Sequence, residues 1–196
     1  MRIAPSVPVA LLSLGLIATK STAGSAQESP APAPAPAPVA ANPADVASVD
    51  DIMTAVYDVI SGPAGQKRDW NRFRSLFIEG ARLIPTGRNR ETGETGHGVL
   101  TVEDYVSRAG PQLEGGGFFE AEVARRVERY GNVVHVFSTY ESRRNADDAE
   151  PFMRGINSFQ LLQEKGRWWV VTIFWQPEYP DLPIPERYLS SPKHQH

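Results

Sequence analysis

The stretch FFEAEVARRVERYGNVVHVFSTYESRR, residues 118–144, replaces the helical spacing of the preceding chain with alternation of apolar and polar side chains. Gly131-Asn132 separates its two halves. A Gly-Asn pair between two alternating runs is a strong signal for a β-hairpin with a two-residue loop. We therefore predict two antiparallel strands, with Tyr130 opposite Val133.

A second hairpin follows directly. FMRGINSFQLLQ, residues 152–163, and RWWVVTIFWQ, residues 167–176, are rich in β-branched and aromatic residues. Lys165-Gly166 lies between them and supplies the turn. The second half of the domain is therefore predicted to be a meander of four antiparallel strands.

The first half is predicted to be mainly helical. Ser48, Asp69 and Thr101 each precede a run with helical spacing of apolar residues, and each can cap a helix N-terminus. The stretch ARLIPTG, which begins at residue 81, is predicted to form a strand that ends at Pro85, and residues 86–98 a polar, Gly-rich loop. Helices followed by a strand meander indicate an α+β fold with the helices on one face of a curved sheet.

This order of elements resembles the NTF2-like (SnoaL-like) superfamily over about residues 48–176. The resemblance is carried by WNRFRSLF (70–77), ARLIP (81–85) and GINSFQLLQEKGRWWVVTIFW (155–175). It implies a cystatin-like cone whose N-terminal helices and concave sheet face enclose a pocket. Members of the superfamily include isomerases, cyclases, dehydratases, epoxide hydrolases and non-catalytic binding modules, so the resemblance does not fix the function.

The N-terminus has the features of an export signal. Arg2 precedes an apolar run over residues 7–18 and then small residues, and the run is too short to span a bilayer as a helix. An uncleaved anchor is the alternative. The location that we expect is periplasmic or secreted. The chain is divided into a signal peptide (1–26), a Pro/Ala-rich linker (27–44), an NTF2-like domain (45–180) and a Pro-rich C-terminal tail (181–196).

The composition excludes several function classes. The chain has no cysteine, which removes disulfides, thiol catalysis and Cys-ligated metal. Loss of residues 1–26 removes Arg2 and Lys20 and no acid, so the net charge falls from −3 to −5. We therefore expect no nucleic-acid partner, and no membrane partner after signal cleavage. The four histidines are scattered and no phosphate-binding loop is present, so no metal and no cofactor is expected.

Register decides which polar residues of the first hairpin face the helices. Counting back from the Gly131-Asn132 loop places Arg125, Ser138 and Tyr140 on the inner, mostly apolar face. An inward Arg needs a partner, either a ligand carboxylate or an internal Asp or Glu. A slip of one residue would exchange the two faces. The convex face is then predicted to carry the charged residues Glu120, Glu122, His135, Glu141 and Arg143.

The same count on the second hairpin places Asn157, Thr172 and Gln176 on the inner face. The opposite face would expose an apolar strip that is large for a monomer. That strip predicts a homodimer formed through the sheet face. Its residues are Trp169, Ile173 and Trp175.

We expect the pocket to bind a small, partly apolar molecule. The alternatives are an isomerase, dehydratase or hydrolase that uses a pocket Tyr with Asp58 as the base, and a dimeric interaction module. No Asp or His faces inward on the long strands in this register, so the catalytic residues stay unknown. The candidate ligand-binding residues are Tyr57, Arg125, Ser138, Tyr140, Asn157, Thr172 and Gln176.

Overall fold

A computed structural model describes residues 39–89 and 91–190. The predicted signal peptide, most of the linker and the last six residues of the predicted tail lie outside the described residues. The elements in chain order are α1 (Val49–Ile60), α2 (Trp70–Ser75), β1 (Phe77–Arg88), β2 (Thr95–His97), α3 (Val102–Gly116), β3 (Phe119–Tyr130), β4 (Val133–Arg143), β5 (Met153–Glu164) and β6 (Arg167–Pro177).

The strands form one six-stranded sheet in the order β2-β1-β6-β5-β4-β3. The pair β1–β6 is parallel and the other pairs are antiparallel. The predicted α+β class is confirmed. β2 is an addition, because it forms inside the segment 86–98 that was predicted to be a loop, and Gly96 pairs with Gly87 of β1.

The three helices begin where their caps predict. The Ser48 side chain accepts a hydrogen bond from the Asp51 backbone at 3.0 Å. Asp69 accepts one from the Arg72 backbone at 2.8 Å. Thr101 forms a reciprocal capping box with the residue three positions on. These contacts satisfy backbone N–H groups that have no partner inside the helix.

Helix α1 packs its apolar stripe on the sheet. Ile52 and Met53 are fully buried in the same core as residues of β4, β5 and β6. The apolar surface that these residues remove from water is the main force that holds the helix on the sheet.

Among residues 39–89 and 91–190, no helix is long and apolar enough to cross a membrane.

Both predicted hairpin loops are confirmed. Tyr130 pairs with Val133 across the first loop, and Glu164 pairs with Arg167 across the second. Lys165 and the glycine after it have φ values of 52° and 77°. Positive φ at both central residues is what a type I′ turn requires, and this turn matches the twist of the strands.

A β-bulge at Val123 overturns the predicted faces at the start of β3. The predicted pairing holds from the loop to Ala124, but Glu122 lies opposite Tyr140 because Val123 is an extra residue. A bulge of one residue exchanges the two faces beyond it. The prediction that Glu120 and Glu122 lie on the convex face is therefore wrong, and both side chains point inward.

A second bulge, at Val171, changes the faces of β6 in the same way. Phe159 pairs with Ile173 and not with Thr172, and Asn157 pairs with Trp175. Thr172 and Gln176 are consequently on the outer face, so their predicted place in the pocket is wrong. Ile173 and Trp175 point inward, and the predicted outer strip that contained them does not exist. Asn157 itself faces inward as predicted.

The C-terminal segment covers part of the outer sheet face. The Thr139 hydroxyl donates to the Tyr188 carbonyl at 2.5 Å, and the Tyr188 ring packs on Phe137 with centroids 5.1 Å apart. Arg126 donates to the Ser190 carbonyl at 2.6 Å. His135 lies on the same outer face, as predicted, and its Nε2 is 3.0 Å from the Ser158 hydroxyl.

Candidate ligand-binding cavity

A cavity of about 200 Å³ lies between the helices and the inner face of the sheet. Its walls are mostly apolar, and five of its lining side chains carry oxygen atoms: Tyr57, Tyr105, Glu120, Tyr140 and Asn157. The other lining residues are Val56, Ile60, Phe73, Leu83, Leu113, Phe118, Met153, Phe159, Ile173 and Trp175. Apolar cavities of about 150 Å³ hold a molecule the size of benzene, so this volume suits a molecule built on a single ring.

Glu120 enters the cavity wall because of the bulge at Val123. The Ser142 hydroxyl donates to its Oε2 at 2.9 Å, and Asn157 Nδ2 donates to its Oε1 at 3.4 Å. Burial raises the pKa of Glu120 to about 7, and these two hydrogen bonds oppose the rise. The desolvation of the charged form outweighs two neutral donors, so this carboxyl changes its charge close to neutral pH.

Tyr140 brings an unpaired hydroxyl to the same wall. The residue is 1% exposed, and its Oη has no hydrogen-bond partner among the described residues. Burial, followed by the nearby Glu120 carboxyl, raises the pKa of Tyr140 above its usual range. The phenol therefore keeps its proton and is available as a donor.

Tyr57 reaches the cavity from α1, but its hydroxyl proton is already used. Ser138 Oγ donates to Glu122 Oε2 at 2.5 Å, and Ser138 Oγ lies 2.7 Å from Tyr57 Oη. Since the Ser138 proton points to Glu122, Tyr57 donates to Ser138. Asn157 Nδ2 donates in turn to Tyr57 Oη at 3.1 Å. Every donor in this series of hydrogen bonds points toward Glu122, so Tyr57 has no proton left to donate to a ligand.

An open cleft lies on the other side of Tyr57 and Glu120, and Arg125 belongs to that cleft and not to the cavity. Arg125 donates through Nε to Glu122, and its Nη1 donates to Asp50 at 2.7 Å. The partner that an inward Arg requires is thus an internal Glu, which was one of the two alternatives predicted.

The predicted site residues fall into three groups. Tyr57, Tyr140 and Asn157 line the cavity, and Ser138 lies directly behind Tyr57. Arg125 lies in the cleft. Thr172 and Gln176 lie on the outer face, where Gln176 Oε1 accepts from Thr86 at 2.7 Å. Whether Thr172 and Gln176 bind a ligand on that outer face stays a prediction.

The predicted base does not reach the cavity either. The Asp58 side chain is 62% exposed and pairs with Arg72 at 2.5 Å. Glu120 and Tyr105 are the oxygen-bearing residues of the cavity that were not predicted from the sequence to lie there. One signal for Glu120 was available: the register without a bulge places Glu122 directly opposite Glu141, and like charges in such a pair are destabilising.

The arrangement provides apolar walls, the unpaired Tyr140 phenol and one carboxyl that titrates near neutral pH. Such a set can hold an apolar body, donate to an acceptor atom and exchange a proton with solvent or ligand. Within residues 39–89 and 91–190, no group of three or more His, Asp or Glu side chains is placed to hold a metal ion.

Comparison with known proteins identifies the fold. No family model and no curated protein matches the chain. A Nostoc punctiforme protein with a cystatin-like fold is similar at a TM-score of 0.50 and 12% identity, covering 69% of this chain and 91% of that one. The chain has a cystatin-like fold.

Two further solved structures are similar to this chain. An NTF2-like protein of unknown function from Shewanella baltica has a TM-score of 0.42 and 15% identity, covering 66% of this chain and 90% of its own. An NTF2-like protein of unknown function from Methylobacillus flagellatus has a TM-score of 0.43 and 17% identity. The match covers 67% of this chain and 95% of that one. Likeness at these identities concerns the fold and does not extend to activity.

Proposed function

We propose that this NTF2-like domain binds a small, partly apolar molecule in the cavity between its helices and its sheet. The observation that carries the proposal is the Tyr140 hydroxyl, which is buried in an apolar wall without a protein partner. A buried polar group without a partner costs free energy, and a ligand acceptor atom would satisfy it.

The cavity walls suggest how the molecule lies. The apolar side chains Phe159, Ile173 and Trp175 would contact its ring or hydrocarbon body. Tyr140 would donate to an oxygen or nitrogen of the ligand. Asn157 would act indirectly, because its amide holds Tyr57 and Glu120 in place.

Native mass spectrometry of gently purified protein, followed by a thermal-shift screen of neutral single-ring compounds, tests this proposal. A retained molecule or a stabilising compound is expected. Tyr140→Phe should weaken its binding, whereas Tyr130→Phe should not, because Tyr130 is 90% exposed at a hairpin loop. The proposal fails if no compound binds, or if Tyr140→Phe binds the compound as tightly as the unchanged protein.

A second candidate function is acid–base catalysis of the isomerase, dehydratase or hydrolase kind. It is favoured by the placement of Glu120 beside Tyr140 and by the pKa of about 7 for Glu120, since a general base works best with a pKa near the working pH. Glu120 would take a proton from the substrate while Tyr140 donates to a neighbouring oxygen. Activity that survives Glu120→Gln unchanged would exclude this candidate.

We also propose that the domain is exported and forms a homodimer. The export proposal rests on residues 1–26, and N-terminal sequencing of the mature protein tests it. The dimer proposal now rests on the outer face near Phe174, which is 47% exposed beside an open groove. Light scattering that gives a monomer mass would overturn the dimer.

A further inference from the structure

Glu120 is the only carboxyl among the described residues that line the cavity, and no Arg, Lys or His lines it. Within the cavity, the titratable groups that face Glu120 are phenols: Tyr57 from α1, Tyr105 from α3 and Tyr140 from β4. None of them carries a positive charge at any pH. A negative charge at Glu120 therefore has no cation in the cavity to balance it.

Cations do lie in the adjoining cleft, but they are engaged elsewhere. Arg125 pairs with Glu122 and Asp50, and Arg143 pairs with Glu141 at 2.8 Å. The cleft adds a further acid, Asp58, to its walls. Each of these arginines thus already has a carboxylate partner other than Glu120.

The protein therefore stabilises the carboxylate form of Glu120 only weakly. Its protein partners are the neutral donors Ser142 and Asn157, and the Asn157 contact is long at 3.4 Å. The rest of its solvation comes through the cavity and the cleft, toward which the side chain is partly exposed. A ligand that fills the cavity with apolar atoms removes part of that solvation, and removal of solvation favours the protonated form.

We propose that Glu120 sets the charge of the ligand: the cavity takes an uncharged, single-ring molecule with a hydrogen-bond acceptor, rejects carboxylates, and takes up one proton from solvent when it binds at alkaline pH. The inference rests on the proposed binding function and names the ligand class for that same cavity. It replaces the expectation of a ligand carboxylate at Arg125, because Arg125 is paired and faces the cleft.

The direction of the pH dependence follows from the pKa of Glu120, about 7 in the free protein. Below that value Glu120 is already protonated, so binding takes up no proton and the affinity is constant. Above it, the protein must gain a proton to bind, and the affinity falls about tenfold for each pH unit. The fall ends once the pH exceeds the higher pKa that Glu120 has in the complex.

Three probes with the same ring test the inference: benzamide, which is neutral, benzoate and benzylamine. Titration calorimetry near pH 6 and pH 8, in two buffers of different ionisation enthalpy, reports both the affinity and the protons taken up. Benzamide should bind at both pH values, with about a tenfold loss between them and proton uptake at the higher one only. Benzoate should not bind, because its charge would be buried without a partner.

Other results overturn the inference in distinguishable ways. Benzamide affinity that does not change with pH, or benzoate that binds as tightly as benzamide, refutes the charge selection but leaves the binding function standing. Benzylamine that binds more tightly as the pH rises shows that Glu120 acts as an anionic partner and also refutes it. Failure of all three probes at both pH values refutes the binding function together with the inference.

Variants separate this role of Glu120 from a structural one. Glu120→Gln should bind benzamide with no pH dependence and no proton uptake. Glu128→Gln, on the exposed end of the same strand, should keep the pH profile of the unchanged protein. If Glu120→Gln does not fold, Ser142→Ala serves instead: it removes a donor to the carboxylate and should move the start of the affinity loss to higher pH. An unmoved profile in Ser142→Ala would contradict the inference.

Discussion

The Tyr140 hydroxyl occupies the space that a side chain at Gly155 would need. The two residues are directly paired on β4 and β5, and a Cβ at residue 155 would lie 2.5 Å from Tyr140 Oη. It would also lie 2.5 Å from the Gln176 carbonyl oxygen, which belongs to the backbone and has little room to move. The position of the unpaired phenol in the cavity wall therefore depends on a glycine in the next strand.

We expect Gly155→Ala to destabilise the protein by about 1–3 kcal/mol, the usual cost of forcing extra volume into a packed site. Chemical denaturation measures the change. Gly87→Ala on β1 is the matched control, because a Cβ there meets no atom within 4 Å. Equal stability of the two variants would mean that Tyr140 is not held by Gly155.

Two phenols of the cavity should respond oppositely to loss of their hydroxyl groups. Tyr140→Phe removes an oxygen without a protein partner, so we expect an unchanged or higher free energy of unfolding. Tyr57→Phe removes an oxygen bound to Ser138 and Asn157, and should cost about 1–3 kcal/mol because buried partners lose their hydrogen bonds. The measurement is urea unfolding of the ligand-free protein.

The same pair of variants distinguishes stability from binding. Tyr140→Phe should lose affinity for a ligand while it keeps its stability. Tyr57→Phe should lose stability first, since its proton already goes to Ser138. A Tyr140→Phe protein that is less stable than Tyr57→Phe would show that the Tyr140 hydroxyl has a structural partner.

Local features of the fold could be predicted from the sequence because neighbouring residues determine them. Ser48 and Thr101 cap their helices through residues three positions on. The Gly131-Asn132 and Lys165-Gly166 pairs fix their turns and the first pairs beside them. These choices, with the order of elements, were sufficient for the α+β class.

The inner faces of the strands could not be predicted in full, because they depend on two bulges that have no local marker. Val123 and Val171 are β-branched residues that fit a regular strand equally well. The bulge at Val171 is favoured by packing at a distance, since it exchanges Thr172 for Ile173 and Trp175 in the core and at the cavity. Only the tertiary structure supplies that free energy.

The candidate site was half predicted for the same reason. Tyr140 and Asn157 lie on the inner face, where regular alternation counted from the two loops places them. Glu120 lies beyond the bulge at Val123, so alternation assigned it to the wrong face. The residue that gives the cavity its charge behaviour is therefore the one that counting along the strand could not locate.

Arg68 should be indispensable for the loop between α1 and α2. It is 6% exposed, and its guanidinium donates to the carbonyls of Ile60, Gly62, Gln66 and Leu113 at 2.6–3.0 Å. Lysine cannot reach these carbonyls in the same planar geometry. Arg68→Lys should therefore lose about 3 kcal/mol of stability or more, since buried carbonyls are left without donors.

Thermal unfolding of Arg68→Lys beside Arg108→Lys checks this prediction, because Arg108 is exposed on α3. The two substitutions change the same chemistry, so a difference between them reports burial and hydrogen bonding. A melting temperature of Arg68→Lys within a degree or so of the control would contradict the role assigned to Arg68.

Glu120 should lower the stability of the folded protein at neutral and alkaline pH. Its pKa is raised from 4.5 to about 7 by burial, so between these values the folded protein holds a proton that the unfolded chain has lost. Stability contributed by this group therefore falls as the pH rises from about 4.5 to about 7, by about 3 kcal/mol in all, and is constant above. Glu120→Gln should remove this dependence.

The difference in unfolding free energy between Glu120→Gln and the unchanged protein should thus grow in favour of the variant from pH 4.5 to pH 7, while Glu128→Gln shows no such growth. A difference that is the same at pH 4.5 and pH 8 would mean that Glu120 is solvated in the folded protein and does not titrate near neutral pH.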